Sequence, residues 1–301
     1  MEDISILAEK SRKGDLSAKN ADELQRLTEF LVDLTEKLKN KANAYKFFNS
    51  KGVDRIIKTL IGINYRPLKK QTLILIKTLF NVAPTTTNAF IPLYLIDKLF
   101  DIFEKDDSPA MKVHALEIMH AWLLNNPKVQ VHVMKLKGLE PFYHQITKLD
   151  RTGIHTLIDL FNKIVEEHKN ARSDKSQKNE DDYERMQLYQ KIGLIERMST
   201  LQVCNGLLNI LETLMVSTNH GELLPPSVLG LAKNMNQFCV EKYKGKDKAK
   251  KIIDDFLKYV VNWHNTDLLS SAGLDPTEIR AVVEDLLTNL HDDDDDERYE
   301  L

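Results

Sequence analysis

The chain has 301 residues, with 42 basic against 45 acidic side chains and a formal net charge of −3, a near balance that excludes a general nucleic-acid binder. Glycine (11) and proline (9) are scarce, and no run reaches the ~18 apolar residues of a membrane span, so no membrane insertion is expected. The charge is uneven: HDDDDDERYEL at 291–301 carries seven acids and one arginine, which leaves the preceding 290 residues at about +3.

Residues 1–20 are polar and read as a flexible N-terminus. The opening MEDISILAEKSRKGD has no basic start followed by an apolar core, so no secretory leader is expected there. NADELQRLTEFLVDLTEKL follows, with Asn20 or Asp22 as helix cap and Leu24, Leu27, Leu31 and Leu34 on one stripe. Residues 21–44 are therefore expected to cap the start of a helical stack.

From 45 to 168 the chain repeats itself. A shift of about 42 residues lays KKQTLILIKTLFNVA (69–83) on MKVHALEIMHAWLLN (111–125), matching Ile74 with Leu116, Ile76 with Ile118 and Phe80 with Trp122. A second shift brings Val113, His114 and Leu116 onto Ile154, His155 and Leu157. Gly52-Val53 and Gly138-Leu139 correspond as corners between helices. A ~42-residue period with purely helical patterning predicts an all-α, armadillo/HEAT-like right-handed α-solenoid, a superhelix of stacked helical repeats.

The segment 111–125 makes the reason visible. On a 100° helical wheel its apolar side chains occupy most of the circle, and His114, Glu117, Ala121 and Asn125 share a wedge from about 40° to 120°. A helix packed against its own repeat and both neighbours needs that distribution. Pro127 then stops it, and Asn126 before the proline is pushed out of helical geometry.

Residues 169–185 are almost devoid of apolar side chains and read as a polar insertion, either a loop or a long polar start to the next helix. Helical repeats resume over 186–290. LQVCNGLLNILETLMV is the most apolar of these, and a Pro-Pro pair introduces the helix after it. KYKGKDKAKK (242–251) holds six lysines, read first as a solvated face and second as an acidic docking site. DPTEIRAVVEDLLTNL closes the series, with Asp275 as cap and Pro276 in the first helical position. The acidic tail 291–301, a run of like charges that repels itself, completes the chain.

Catalytic motifs are missing. There is no phosphate loop, His-Glu-x-x-His, Cys-x-x-Cys or Gly-x-Ser-x-Gly, so neither an enzyme nor a resident metal or cofactor is expected. Cys204 and Cys239 read as buried thiols, with a disulfide as the alternative in an oxidising compartment. Phe80 and Trp122 read as core. The candidate partner-binding residues are those in the polar wedge, His114, Glu117 and Asn125, and their counterparts one repeat on, His155, Asp159, Asn162 and Glu166. They predict a polar, partly acidic strip along one side of the stack.

The segment ELQRLTEFLVDLTEKLKNKANAYKFFNSKGVDRII (23–57), the helix MKVHALEIMHAW and the Asn125-Asn126-Pro127-Lys128-Val129-Gln130 run after it resemble the armadillo-like nucleotide exchange factors of the seventy-kilodalton heat-shock chaperones. The likeness is clear over roughly 23–165. It implies a co-chaperone whose concave groove grips one lobe of the chaperone's ATPase domain and promotes ADP release. Arg298-Tyr299-Glu300-Leu301 resembles the Lys/His-Asp-Glu-Leu retrieval address, with Tyr299 in place of aspartate. That ending implies the branch lumenal to the endoplasmic reticulum, which acts on the chaperone BiP, and a retrieval receptor as second partner. A cytoplasmic location is the alternative. The rival function is an armadillo-type scaffold or transport adaptor that binds peptides in its groove.

Overall fold

The computed structural model describes residues 18–136, 138, 140–173, 180–219 and 223–291. The first 17 residues of the expected flexible N-terminus, positions 174–179 of the polar insertion and the tail from 292, including Arg298, Tyr299, Glu300 and Leu301, lie outside the described residues. Every regular element among the described residues is a helix, so the chain is all-α, built of armadillo-like helical repeats. It divides into two compact units, Met1–His132 and Val133–Leu301.

The first unit opens with α1 (Ala18–Leu38), which buries Leu24, Leu31 and Leu38. Asn40 ends this run and starts α2 (Lys41–Asn49): its side-chain oxygen accepts from Ala42 N at 2.9 Å. A π-helical turn, Val53–Ile57, leads through Lys58–Leu60 toward α3 (Arg66–Val82), which carries Pro67 in its first turn. Then come α4 (Tyr94–Lys105) and α5 (Pro109–Leu123). Helix α3 packs on α1 on one side and on α5 on the other, and α4 packs on α5.

Helix α5 is enclosed as its sequence predicts. Met111, Val113, Ala115, Leu116, Ile118, Met119, Trp122 and Leu123 are buried, and beyond its first two residues only His114, Glu117, His120 and Ala121 are not. Trp122 is 1% exposed and its ring sits 5.6 Å from that of Phe80, which makes the matched aromatic pair core. Even a lysine is drawn in. Lys112 is buried because its ammonium donates to Phe103 O at 2.7 Å and Glu104 O at 3.0 Å, the open carbonyls ending α4, where a helix favours a cation. Gly52 is not the corner its position suggests. Its φ is −58°, and what it supplies is space, since a Cβ there would lie 2.4 Å from the Phe47 ring. Gly138 does take left-handed backbone, φ 70°.

Helix α6 (Pro127–Leu136) crosses the boundary between the units. In the second unit α7 (Arg151–Ser173), α8 (Glu180–Ile192) and α9 (Leu201–Asn219) are followed by α10 (Val228–Tyr243), α11 (Asp247–Val261) and α12 (Pro276–His291). Much of the expected polar insertion is therefore helical: α7 runs on to Ser173 and α8 begins at Glu180. Asp275 caps α12 as its sequence predicts, accepting from Thr277 N at 2.8 Å.

The cysteines correct the thiol reading. Cys204 on α9 and Cys239 on α10 form a disulfide across adjacent helices, both fully buried, with Cα atoms 5.4 Å apart. Facing positions on two packed helices bring together residues 35 apart in sequence, a pairing that local pattern does not encode.

Candidate functional site

In the first unit the accessible faces of α3 and α5 meet at a polar seam. Lys77 of α3 pairs with Glu117 of α5 at 2.6 Å, and the other Glu117 oxygen lies 3.4 Å from His114 Nδ1. Both His114 and Glu117 keep 22% of their side chains exposed, so this carboxylate is engaged on two sides yet open to a partner. One helix further along the stack, Gln71 of α3 donates to Thr35 of α1 at 3.1 Å. Lys77 is thus a member of the seam that the wedge on α5 alone did not reveal.

Asn125 lies at the end of the same helix, exposed, with φ 56°; asparagine is among the few side chains that tolerate this left-handed backbone. Its neighbours show that the Asn-Asn-Pro-Lys-Val-Gln run is a device for turning the chain. Asn126 donates to Asn88 Oδ1 at 2.7 Å, and the same oxygen accepts from the Trp122 indole at 2.9 Å. Pro127 opens α6, and buried Gln130 reaches back to donate to Leu123 O at 2.8 Å. Lys128 is left exposed. His132 and Asp97 form a further pair, 2.9 Å apart, joining α6 to α4, which their separation of 35 residues hides from a sequence reading.

In the second unit the four counterpart residues share one face of α7, but they do not share one environment. His155 Nδ1 lies 3.1 Å from the Ser227 hydroxyl. Asn162 donates to Ser227 O at 2.8 Å and accepts from Asn234 at 3.0 Å. Gly230 makes room for this contact, since a Cβ there would fall 2.5 Å from the Asn162 amide. The middle of the strip is therefore the seam between α7 and the start of α10. Asp159 pairs with Lys163 at 2.7 Å, and Glu166 is exposed. The sequence places these residues on one face correctly; Ser227, 65 and 72 residues away, is the partner it does not reveal.

A buried polar cluster lies further along α7. His168, 2% exposed, meets the Tyr189 ring edge-on at 4.8 Å. Burial, reinforced by the nearby Arg172 cation, pushes its imidazole down to about 4, so it is neutral at pH 7. Tyr189 donates to Glu167 at 3.0 Å, and burial pushes its phenol up to about 12. Arg172 pairs with Glu196 outside the cluster.

Among the described residues no group of three or more His, Cys, Asp or Glu side chains could hold a metal ion, and no helix is long and apolar enough to cross a membrane. The polar seams fit recognition by charge and hydrogen bonding. The SIL1/FES1/HPBP1 C-terminal domain family matches residues 43–264, a span that includes all seven wedge and strip residues. No curated protein matches the chain.

Proposed function

The chain belongs to the SIL1/FES1/HPBP1 family of nucleotide exchange factors for seventy-kilodalton heat-shock chaperones, and from that premise we propose that it clamps one lobe of a BiP-type chaperone's ATPase domain and speeds ADP release. The family is one of co-chaperones that bind the ATPase domain of seventy-kilodalton heat-shock chaperones, not of enzymes. The observation that carries the reading is the extent of the match, residues 43–264, which takes in helices from α3 to α11 and so reaches into both units.

The mechanism needs only differential binding. A protein that holds one lobe in a rotated position binds the open chaperone better than the closed, ADP-bound form. Linkage then makes nucleotide and exchange factor weaken each other's hold. To favour the open form 100-fold, the preference must be about 2.7 kcal/mol. The accessible wedge residues His114, Glu117 and Asn125 of the first unit, and Asp159 and Glu166 of the second, are the proposed contacts. His155 and Asn162 hold the α7–α10 seam of the second unit in position.

The choice of BiP as client goes with a lumenal location, which is part of the proposal. The buried Cys204–Cys239 bond suits an oxidising compartment, and Arg298-Tyr299-Glu300-Leu301 would engage a retrieval receptor. The peptide-adaptor reading is disfavoured by Phe80 and Trp122, whose burial removes the aromatic rungs such a groove would present.

Stopped-flow release of a fluorescent ADP from BiP, with and without the full chain, tests the proposal. Release should accelerate with the wild type, and a chain that binds without accelerating it defeats the reading. Glu117→Lys places a cation beside Lys77 and reverses the charge offered to the partner. It should leave the fold intact and weaken binding by about 2–5 kcal/mol if the carboxylate is buried on docking, with exchange slowing in parallel.

A further inference from the structure

Around the turn from α10 to α11 the chain places six lysines and one acid within ten residues, 242–251. Lys242, Lys248 and Lys251 are exposed and Lys246 is half-buried. Among the described residues, Lys248 reaches Glu212 at 2.8 Å, whereas no acid stands within ion-pair distance of Lys242, Lys246 or Lys251. Lys248 and Lys250 also occupy the first turn of α11 around Asp247, the end of a helix where cations are unfavourable.

The mirror image of this misfit lies at the end of α12. Five aspartates and a glutamate, 292–297, follow directly on His291, placing negative charge at the negative end of a helix dipole. The packing directs the two toward each other. Lys233 of α10 pairs with Glu278 at the start of α12 at 2.6 Å. Asn236, further along α10, meets Asp285 and, at 3.2 Å, Asn289 near the end of α12. The two helices thus run in the same sense. Asn289 lies beside a residue only seven positions, or roughly 10 Å of helix, before the end of α10. Helix α12 also packs along α11. The ten residues after His291 can span up to ~33 Å, several times the distance needed to reach the turn.

We propose that the lysine-rich surface of the α10–α11 turn is a docking surface for an acidic polypeptide segment, and that its occupant is Asp292–Glu297 of the same chain. Docking there offsets two unfavourable helix ends with one set of contacts and covers a local excess of positive charge on the second unit. The contact is polar and exposed, so it weakens as salt rises, and a more acidic competitor can displace the tail. It is independent of the exchange-factor reading.

Zero-length carbodiimide coupling of the full chain tests it, because an amide forms only where a lysine amine and a carboxylate touch. In an equal mixture of unlabelled and nitrogen-15-labelled chains, the expected products join Asp292–Glu297 to Lys246, Lys248 or Lys251 without mixed-isotope pairs. Their yield should fall several-fold in 500 mM salt, and the summed yield of tail crosslinks to any lysine should fall at least tenfold in K246E/K248E/K251E, checked by circular dichroism for an intact fold. Absent tail products, mixed-isotope pairs, or unchanged yield in the triple variant overturn the proposal. Tryptic cleavage at Lys246, Lys248 and Lys251 gives a second reading with the body untouched. Changing Asp292–Asp296 to Asn should speed it several-fold at low salt, and equal rates overturn the proposal.

Discussion

A buried histidine shows how one side chain ties stability to pH. His168 titrates at about 4 in the folded chain against about 6.5 when unfolded. As pH falls below 6.5 the unfolded chain takes up a proton that the folded chain refuses. The stability present above pH 6.5 is therefore lost progressively toward pH 4. Allowing for solvent screening of the Arg172 contribution, the loss is on the order of 1–2 kcal/mol. Urea midpoints at pH 7.5 and pH 5.0 should differ more for the wild type than for His168→Gln, which removes the titration; an identical pH dependence would show that His168 does not carry it. At this scale the sequence was informative where a residue acts on its own segment. Asp275 as a cap and Pro127 as a stop follow from local rules. Lys77 beside Glu117 and Ser227 beside His155 follow only from packing, because nothing near either residue in sequence names its partner.

Among the elements, α9 and α10 are joined both covalently and by hydrogen bonding. The Cys204–Cys239 bond crosses between them, and the Tyr243 hydroxyl donates to Cys204 O at 2.6 Å. Closing a loop of 35 residues restricts the unfolded chain by about 3–4 kcal/mol in the chain-entropy account. A Cys204→Ser, Cys239→Ser variant should be destabilised by up to that amount, and reduction of the wild type should shift its denaturation midpoint the same way. Unchanged midpoints in both would show that the bond adds nothing. Helix positions themselves were largely legible, because a helix enclosed on several sides leaves only a narrow polar wedge, and α5 has one. The polar stretch 169–185 was less so. Its low hydrophobicity suggested an insertion, either a loop or a long polar start to the next helix; Lys169 is exposed on the continuing helix α7 and pairs with Gln237 of α10 at 2.6 Å. A helix extended by such edge contacts need not be apolar.

For the molecule as a whole, the repeat period announced the all-α class because a shift of about 42 residues superposes apolar positions that can only be buried between stacked helices. Function was legible from resemblance rather than from chemistry, since a binding surface of ordinary polar residues carries no motif of its own. Among the residues that carried the resemblance, Asn125 to Gln130 serve mainly to join one helix to the next. Location is testable at the same scale. Removing Arg298–Leu301 from a chain directed to the secretory pathway should release it into the medium, and unchanged retention would remove the argument for a retrieval receptor.

The buried ammonium of Lys112 has a use of its own. Its two carbonyl contacts keep it from solvent while the first unit remains closed, whereas the exposed lysines meet any acylating reagent at once. Covalent labelling of that single amine therefore reports each opening of the first unit, without an added dye, in a chain whose second unit is crosslinked by its own cysteines.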